Sequence, residues 1–479
     1  MKFPCLPVLS FLTFSVVLSS FAALAPANSD VEVRFMDSET GCEVTPDFVE
    51  LAPDGNSQGR LQYGGDQLAR SRWLPLATTP GSFELKVASG RHRSVSAPLV
   101  VESGVKRRIH ILLDPLQPAP ELAPARIETL RRADATLFLG FIVDDDTGKP
   151  LAGVVVESFP SRVTTKSDAR GFFELHVPLP ASANVIPVTL SFAKRGYGAD
   201  VRKNLELWPG GDWTYRVRLK AGAGRSVTDE NSERRYPVQT GKARTVVDPA
   251  TAPKVAVGQA TLDPSVLSKG TLSVVHRFSS GITTIRVPNA IRVLLSDNVT
   301  IEYVSLQTYG RRSLPSEWIS SWGGYTGGSN SLNAGAIANR TYAIGYINSP
   351  RGTTYDICAT TSCQVFGTTT SSLTDTAINF TANYVVVNNS GAIPSGLTEY
   401  SSENNSLGFS CGDGFTQPTG GCIYDPVCSG ETRFGHGRGM CQWGTVKWAT
   451  GLKFPGNSFS NTSLTNGQPR QDLKWIVNH

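Results

Sequence analysis

Short segments in which apolar and polar residues alternate recur through the first part of the chain. Val31–Phe35, Ser82–Val87 and Arg108–Leu113 show this alternation, and Gly and Pro residues separate them. Because successive side chains of a strand point to opposite faces, a period of two indicates strands that bury one face. Turn residues between such segments are typical of antiparallel neighbours. We therefore predict a small antiparallel β-domain over residues 28–115, called here the first β-domain.

A second β-module follows a change of composition. Residues 116–136 are rich in Pro, which favours an extended, semi-rigid linker. Residues 137–219 then combine apolar segments with a turn at Thr147–Pro150 and another at Asp168–Gly171. These features resemble the carboxypeptidase-regulatory-like β-sandwich, a spacer domain of secreted proteins. The resemblance implies scaffolding or adhesion for this module, called here the sandwich.

Acidic residues cluster at the turns of the sandwich. They could ligate calcium, or they could be solvated turn residues that bind no ion, and turn chemistry favours the second interpretation. The residues are Asp144, Asp145, Asp146 and Asp168. Beyond the sandwich, residues 220–270 are polar and lack sustained periodicity, so we predict a flexible tether there.

The N-terminus predicts export. Met1-Lys2 is followed by an apolar stretch, Leu6–Leu24, and then by small residues at Ala25-Pro26-Ala27. This order is typical of a signal peptide over residues 1–27 that is cleaved before Asn28. An uncleaved anchor is the alternative, although the stretch is shorter than the roughly 20 apolar residues of a membrane span. We expect a secreted, periplasmic or cell-wall-associated protein with no stable membrane span after cleavage.

Length and charge limit the partners. A chain of 479 residues accommodates several domains of about 100–200 residues each. The net charge is +5, and Lys and Arg are scattered along the sequence. Nucleic-acid binding needs a concentrated basic face, so we predict no nucleic-acid partner.

Cysteines concentrate in the C-terminal half. In an oxidising compartment such a cluster indicates disulfides, and six cysteines allow 15 connectivities among which the sequence does not choose. Cys42 remains outside the cluster. The candidates are Cys358, Cys363, Cys411, Cys422, Cys428 and Cys441.

Five short motifs follow one another in the same half, called here the C-terminal region (residues 271–479). A helix is predicted at Leu332–Ile344, where small and apolar residues recur at helical spacing. The motifs are Leu306-Gln-Thr-Tyr309 with Glu317-Trp318, Arg340-Thr-Tyr342-Ala, Tyr355-Asp-Ile-Cys358 with Cys363-Gln364-Val, Tyr400-Ser401-Ser402, and Gly435-His436-Gly-Arg-Gly-Met-Cys441-Gln442-Trp443-Gly.

In this order the motifs resemble the SpoIID/LytB domain over about residues 287–450. Three departures stand out. The helix reads Leu332-Asn333-Ala334-Gly335 where the family often has Leu-Lys-Ala-Gln, the loop 411–428 is inserted, and no Gly-Gly follows the Ser-Ser motif. The resemblance implies an α+β fold here, so the whole chain is predicted as N-terminal all-β, Ig-like sandwich modules followed by an α+β SpoIID-like domain.

The resemblance also implies a reaction. Sporulation members of the family are lytic transglycosylases that cut peptidoglycan glycan strands, and the family's acid falls on Glu317. Most glycosidases need two carboxylates. A lytic transglycosylase instead uses the sugar's own C6 hydroxyl and forms a 1,6-anhydro-muramyl end, so one Glu can act as general acid and then base. The alternative for Glu317 is a surface residue at a helix boundary.

Further residues are assigned through the same resemblance. His436, between glycines, is a second catalytic candidate or a structural turn residue. The tryptophans could stack on sugars, although the core is the favoured position for tryptophan. Glu399 and Glu403 are the acids to consider if Glu317 is inert. The substrate-binding candidates are Trp318, Arg340, Tyr342, Tyr400, Ser401, Ser402, Gln442 and Trp443.

Two alternatives remain open. We predict no cofactor, and a zinc ion at Cys358 and Cys363 is a weaker interpretation than a disulfide because no His lies beside the pair. The LytB branch of the family enhances a partner N-acetylmuramoyl-alanine amidase without cutting glycan itself, so the chain could be a non-catalytic enhancer, or a wall-binding adhesion protein, rather than an enzyme.

Overall fold

A computed structural model gives the architecture. It describes residues 31–53, 61–64, 68, 73–76, 80–102, 104–179, 186–229, 246–247, 256–259, 273–277, 282–285, 290–360, 362–387, 398–403, 407–409, 422–431, 435–437, 439–454 and 465–478. The predicted signal peptide lies outside these residues. Within them, no helix is both long and apolar enough to cross a membrane.

The first β-domain consists of two sheets around one apolar core. β2, β3, β5 and β6 form an antiparallel sheet in the order β3-β2-β5-β6. Val33, Leu51, Leu85 and Ile111 fill the space between this sheet and the one that holds β1 and β7. The strands are β1 (Val31–Asp37), β2 (Phe48–Pro53), β3 (Leu61–Gly64), β4 (Leu74–Pro75), β5 (Gly81–Ser89), β6 (His92–Val101) and β7 (Arg107–Leu113).

One pairing departs from the predicted antiparallel arrangement. β1 and β7 are parallel, with Val33 opposite Ile109 and Phe35 opposite Ile111. Residues 109–113 of β7 are all buried, including His110. Burial on both faces is typical of a parallel strand covered on both sides. The alternation in the sequence identified the strands but not this long-range pairing.

The Pro-rich segment is not fully extended. It contains a 3-10 turn at Pro120–Leu122 and helix α1 (Pro124–Leu130). Pro at the first helical position removes no hydrogen bond that the helix needs, because that N–H has no partner within the helix. Ile127 buries its side chain against Leu137 and Leu139 of the next module.

The sandwich has two facing sheets, as the resemblance implied. Its core includes Phe138, Phe173, Phe192 and Tyr215, and the rings of Phe173 and Phe192 meet edge to face at 5.5 Å. The strands are β8 (Ala135–Asp144), β9 (Val155–Phe159), β10 (Thr164–Lys166), β11 (Phe172–Pro178), β12 (Ile186–Ala193), β13 (Ala199–Leu207), β14 (Asp212–Leu219) and β15 (Arg225–Asp229).

Carboxylates at the sandwich turns bind their own backbone. Asp144 Oδ1 accepts a hydrogen bond from Thr147 N at 2.7 Å. Asp168 Oδ1 accepts hydrogen bonds from Arg170 N at 2.8 Å and Phe172 N at 2.9 Å. Side-chain acceptance of this kind is ordinary turn chemistry and explains the acids without an ion.

Parts of the predicted flexible tether form strands. β15 begins inside it and pairs in parallel with β13. Two short strands follow, β16 (Val246–Val247) and β17 (Ala256–Gln259). The residues between them lie outside the described part of the chain.

The C-terminal region is mixed α/β, so the predicted fold class is confirmed. Its helices are α2 (Leu306–Glu317), α3 (Ser329–Asn348), α4 (Ser372–Phe380), α5 (Gln442–Thr450) and α6 (Leu473–Asn478), with a 3-10 turn at Ser320–Gly324. Its strands are β18 (Ser273–Arg277), β19 (Ile282–Ile285), β20 (Ala290–Leu294), β21 (Thr300–Ser305), β22 (Ile357–Cys358), β23 (Thr369–Thr370), β24 (Tyr384–Val387), β25 (Tyr400–Ser401), β26 (Leu407–Phe409), β27 (Cys422–Ser429) and β28 (Met440–Cys441).

Helix α3 contains the predicted helix and forms the centre of this region. Fourteen of its residues are buried, among them Leu332, Ile337 and Ala338. A Cβ on Gly335 would lie 2.5 Å from the Trp318 ring. The departure from the family sequence at Gly335 therefore makes room for a large aromatic side chain from the end of α2.

Strands of the C-terminal region extend the sheets of both upstream modules. β21 pairs in parallel with β7, so the first sheet runs in the order β22-β20-β21-β7-β1-β4. β23 pairs antiparallel with β14 of the sandwich, with Thr370 opposite Thr214. Main-chain hydrogen bonds thus join all three parts.

Buried charges lie where the three parts meet. Glu302 of β21 accepts a hydrogen bond from Arg312 Nη1 at 2.8 Å and one from Arg218 Nη2 at 3.3 Å. His110 Nδ1 lies 3.8 Å from Glu302 Oε1. Burial opposes ionisation of Glu302, but Arg312, His110 and Arg218 more than offset it and hold the pKa of this carboxyl far below its usual range. We call these four residues the Glu302 junction.

Candidate functional site

Glu317 lies at the C-terminal end of α2 and is half-buried. Its Oε1 accepts a hydrogen bond from Val365 N at 2.8 Å. Its Oε2 lies 3.4 Å from Gln442 Nε2, which donates a weaker hydrogen bond. Both donors are neutral, so no cation holds the carboxylate through these two contacts.

Three elements bring these groups together. Ser305 caps α2, accepting a hydrogen bond from Thr308 N at 3.0 Å, and the helix then runs to Glu317. Val365 follows the second cysteine of the Cys358–Cys363 disulfide, which closes a loop of sequence separation 5. Gln442 is the first residue of α5. Segments far apart in sequence therefore converge on one carboxylate.

Tyrosine hydroxyls surround this carboxylate. Burial, together with the negative charge of Glu317, raises the pKa of Tyr309 and Tyr400 well above the ordinary value for tyrosine. Burial also raises the pKa of Tyr342, with further contributions from Tyr346 and Glu317. These phenols stay protonated at neutral pH and are hydrogen-bond donors near the acid.

Gln364 links two of the tyrosines and was not assigned from the sequence. Its Oε1 accepts from Tyr309 OH at 2.5 Å, and its Nε2 donates to Tyr400 OH. The side chain is 2% exposed. Two sequence signals could have pointed to this contact: Gln364 lies in the Cys-Gln-Val motif, and Tyr309 lies in the Leu-x-x-Tyr motif. We call Glu317, Tyr342, Gln364, Tyr400 and Gln442 the Glu317 cluster.

The glycine-rich motif forms a turn beside this cluster. Gly435, Gly437 and Gly439 have φ of 82°, 69° and 70°, a region that favours glycine. A Cβ on Gly439 would lie 1.8 Å from Glu399 O, so only glycine fits there. His436 is exposed and lies within this turn, next to Gly435. A Cβ added to Gly435 would lie 3.3 Å from Ser401 Cβ. β28, after the turn, pairs in parallel with β25 and its Tyr400.

Several predicted substrate-binding residues are structural instead. Trp318 and Trp443 are 0% and 4% exposed and belong to the apolar core, so stacking on sugars is not their role. Arg340 is buried, and its guanidinium donates to the carbonyls of Thr381, Tyr384 and Ile378. A charged group enclosed by carbonyls replaces its lost water contacts with hydrogen bonds.

Other candidates lie at or near the cluster. Gln442 contacts Glu317 directly, and Tyr342 and Tyr400 are partly exposed. Ser401 and Ser402 are buried, and Ser402 O accepts a hydrogen bond from Trp443 N at 3.0 Å. The backbone of Ser402 therefore connects the segment that follows Tyr400 to α5, which begins at Gln442.

The two acids considered as alternatives to Glu317 lie in different environments. Glu403 is fully buried and accepts a hydrogen bond from Lys447 Nζ at 2.9 Å, so it is held in an ion pair. Glu399 is half-buried, and its negative charge contributes to the raised pKa of Tyr342, after burial, Tyr346 and Glu317. Glu399 is therefore the second carboxylate near the cluster.

The cysteine candidates separate into two groups. Cys358 and Cys363 form a disulfide of 2.03 Å, so these sulfurs are not available as zinc ligands. Cys428, Cys441 and Cys42 are buried and not disulfide-bonded. Burial raises the pKa of Cys441 to about 11. Cys411 and the side chain of Cys422 lie outside the described residues.

Comparison with known proteins gives one family match. The SpoIID family model, described as stage II sporulation protein, matches residues 296–388. This segment includes Glu317, Tyr342 and Gln364. No curated protein matches the chain.

Similar solved structures resemble the chain only weakly. A 3-chlorocatechol 1,2-dioxygenase from Rhodococcus opacus is 13% identical over 20% of this chain and 61% of its own, less than two thirds of its length, with a TM-score of 0.13. A streptococcal ancillary pilin is 8% identical over 57% and 98%, with a TM-score of 0.15. The shaft pilin SpaA of Lactobacillus rhamnosus GG is 10% identical over 41% and 94%, with a TM-score of 0.12.

At these TM-scores the solved structures carry no argument about fold or function. The family match is different because it coincides with the α2–α3 segment and its convergent polar groups. Residues 296–388 of this chain are therefore similar to the SpoIID family, a family associated with peptidoglycan lytic activity.

Proposed function

We propose that the C-terminal region is a lytic transglycosylase that cleaves peptidoglycan glycan strands with Glu317 as its general acid and base. The observation that carries the proposal is the position of this carboxylate. It is half-buried inside the family-matched segment, among neutral donors and protonated phenols. A carboxyl group positioned in this way can give up a proton and take one back during a reaction.

The reaction needs one proton donor and no added water. Glu317 in its acid form protonates the glycosidic oxygen as the bond to the sugar's C1 breaks. The C6 hydroxyl of the same sugar then bonds to C1 and gives its proton to Glu317. The products are a free hydroxyl on one strand and a 1,6-anhydro end on the other, and Glu317 is again an acid.

Gln442 suits both protonation states of the acid. Its amide nitrogen donates to Glu317 Oε2 in the carboxylate form. After rotation of the amide, its carbonyl oxygen can accept a hydrogen bond from the protonated form of Glu317. Val365 N remains on Oε1 in either state and fixes the orientation of the carboxyl group.

The partly exposed tyrosines are the sugar-binding groups under this proposal. Tyr342 and Tyr400 lie with ring centroids 5.8 Å apart, and each combines an apolar ring with a hydroxyl. Such side chains contact the apolar face of a sugar while bonding its hydroxyls. His436 borders the same turn and would bind or orient the strand.

Product analysis tests the proposal. Purified full chain is incubated with intact and with peptide-stripped peptidoglycan, and the fragments are identified by mass spectrometry. We expect anhydro-muramyl ends from the wild type, none from Glu317→Gln, and retained product from the matched control Glu399→Gln. Absence of anhydro ends with the wild type on every glycan overturns the proposal.

The enhancer alternative predicts a different result. A non-catalytic protein would leave glycan intact and increase peptide release by a wall amidase. Export to the cell wall suits either role. The same incubation with a purified N-acetylmuramoyl-alanine amidase distinguishes them, because only an enhancer changes the yield of free stem peptide.

A further inference from the structure

A second polar cluster lies beneath the first, at the N-terminus of α5. Cys441 is the N-cap of α5, Cys428 belongs to β27, and Glu403 follows β25. One potential ligand atom from each lies within 4.8 Å of the others. All three side chains are buried, with exposures of 5%, 0% and 0%.

Each thiol in this cluster donates a hydrogen bond to a carboxylate. Cys441 Sγ donates to Glu403 Oε1 at 2.9 Å, and Cys428 Sγ donates to Asp425 Oδ2 at 3.2 Å. Asp425 is 7% exposed. Two sulfurs and one carboxylate oxygen, that of Glu403, therefore converge where three segments of the chain meet, and Asp425 lies beside Cys428.

The remaining carboxylate oxygens are held from behind. Glu403 Oε2 accepts from Lys447 Nζ at 2.9 Å, and Asp425 Oδ1 accepts from Trp448 Nε1 at 3.0 Å. Carboxylates that ligate metals are commonly oriented in this way by donors outside the coordination sphere. The ligand atoms are thus positioned before any ion binds.

We propose that Cys428, Cys441 and Glu403 bind one zinc ion. Binding replaces the two thiol protons with one divalent cation, so two protons leave, two sulfur–zinc bonds form and the net charge of the site is unchanged. No oxidant takes part. The site is separate from the Cys358–Cys363 pair, whose sulfurs are bonded to each other.

The donor set selects the metal. Thiolates are soft ligands and prefer zinc over magnesium or calcium, which take oxygen ligands. Three side-chain ligands fill three of the four positions of tetrahedral zinc, and a water molecule would complete the coordination.

The ion would hold α5 in place from its first turn. Cys441 Sγ accepts a hydrogen bond from Gly444 N at 3.1 Å, and a zinc-bound thiolate remains an acceptor. Gln442, the next residue, contacts Glu317. The metal site is nevertheless an independent proposal, because it stands whether or not Glu317 is catalytic.

Metal content tests the site directly. The full chain is expressed in zinc-supplemented medium, purified without chelator and measured by elemental mass spectrometry. We expect about one zinc ion per chain in the wild type and in Cys42→Ser, and a loss of at least about tenfold in Cys428→Ser and Cys441→Ser. Cys42 is the matched control because it is also buried and not disulfide-bonded.

Two further measurements keep the result interpretable. Glu403→Gln, which keeps both thiols and the size of the side chain, should weaken zinc binding by at least about tenfold. Cobalt in place of zinc should give an intense sulfur-to-metal absorption that Cys428→Ser abolishes. A wild-type chain without zinc, zinc that persists in Cys428→Ser, or a Cys428–Cys441 disulfide in non-reducing peptide maps overturns the proposal.

Discussion

Two glutamates in the C-terminal region have opposite environments. Glu302, just before α2, is fully buried and bonded to two arginines in the Glu302 junction. Glu317, at the far end of α2, is half-buried and contacted by a backbone amide and a glutamine. A carboxylate surrounded by cations is fixed in its charged form. Glu317 accepts hydrogen bonds from two neutral donors and under the proposed function exchanges a proton, so the comparison sets a structural acid beside the proposed catalytic one.

The largest expected effect is on catalysis at Glu317. Glu317→Gln should lower the rate of anhydro-muramyl product formation by about 10²–10⁴-fold, because positioned acid–base catalysis contributes on that order. Unfolding by denaturant should remain near wild type, since the amide still accepts from Val365 N. Initial rates from quantified fragments give the measurement, and a nearly unchanged rate would remove Glu317 from the mechanism.

Substitutions in the Glu302 junction should change the stability of the protein rather than its catalytic rate. Arg312→Met removes the cation 2.8 Å from Glu302 and should lower the free energy of unfolding by about 3–5 kcal/mol, because the buried carboxylate loses its main partner. Arg126→Met is the control, since its 3.8 Å ion pair with Glu174 is exposed and should be worth less than about 1 kcal/mol. Similar losses for the two variants would contradict the distinction.

The pH dependence of stability should come partly from Glu302. Its folded pKa lies far below the ordinary value of 4.5, so its stabilising contribution is present above 4.5 and is lost as pH falls below that value. Denaturant unfolding between neutral pH and pH of about 3 should therefore show a loss of stability in acid. The free energy of unfolding of Glu302→Gln should fall less steeply with decreasing pH than that of the wild type. Equal slopes for the two proteins would exclude a contribution from Glu302.

The packing between α2 and α3 should give a smaller effect. Gly335→Ala places a Cβ 2.5 Å from the Trp318 ring and should cost about 1–3 kcal/mol, the usual range for overpacking. Gly324→Ala is the control because a Cβ there meets nothing within 4 Å. Thermal unfolding of both variants makes the comparison, and an unaffected Gly335→Ala would mean that the ring moves freely.

The smallest effect is expected at Gln442. Gln442→Ala removes one weak hydrogen bond to Glu317 and should slow product formation by about fivefold, equivalent to about 1 kcal/mol. Gln442→Glu should slow it further, since a second negative charge opposes loss of the proton from Glu317. Rates equal to wild type in both variants would place Gln442 outside the mechanism.

The sequence predicted the strands and the acid but not their long-range partners. Alternation identified β1 and β7, yet their parallel pairing depends on the burial of β7 on both faces, which only the complete sheet determines. The ordered motifs selected Glu317. They did not reveal that Gln364 links Tyr309 and Tyr400, because hydrogen bonds between distant segments leave no local pattern.

Residue type alone was also insufficient for the tryptophans and arginines. Trp318 and Trp443 have a chemistry that suits both sugar stacking and a core, and burial decides for the core. The guanidinium of Arg340 is a group that can bind anionic ligands, but here it donates hydrogen bonds to three backbone carbonyls. Gly335 was a departure from the family pattern whose explanation, the Trp318 ring, lies on another helix.

The most direct test of the central claim follows the oxygen atoms. Wild-type full chain is incubated with peptide-stripped glycan in water labelled with heavy oxygen, and the new reducing-end fragments are weighed by mass spectrometry. Intramolecular attack by the C6 hydroxyl predicts anhydro ends that contain no heavy oxygen. Heavy oxygen at C1 of the new ends would show that water is the nucleophile and would contradict a single-acid transglycosylase at Glu317.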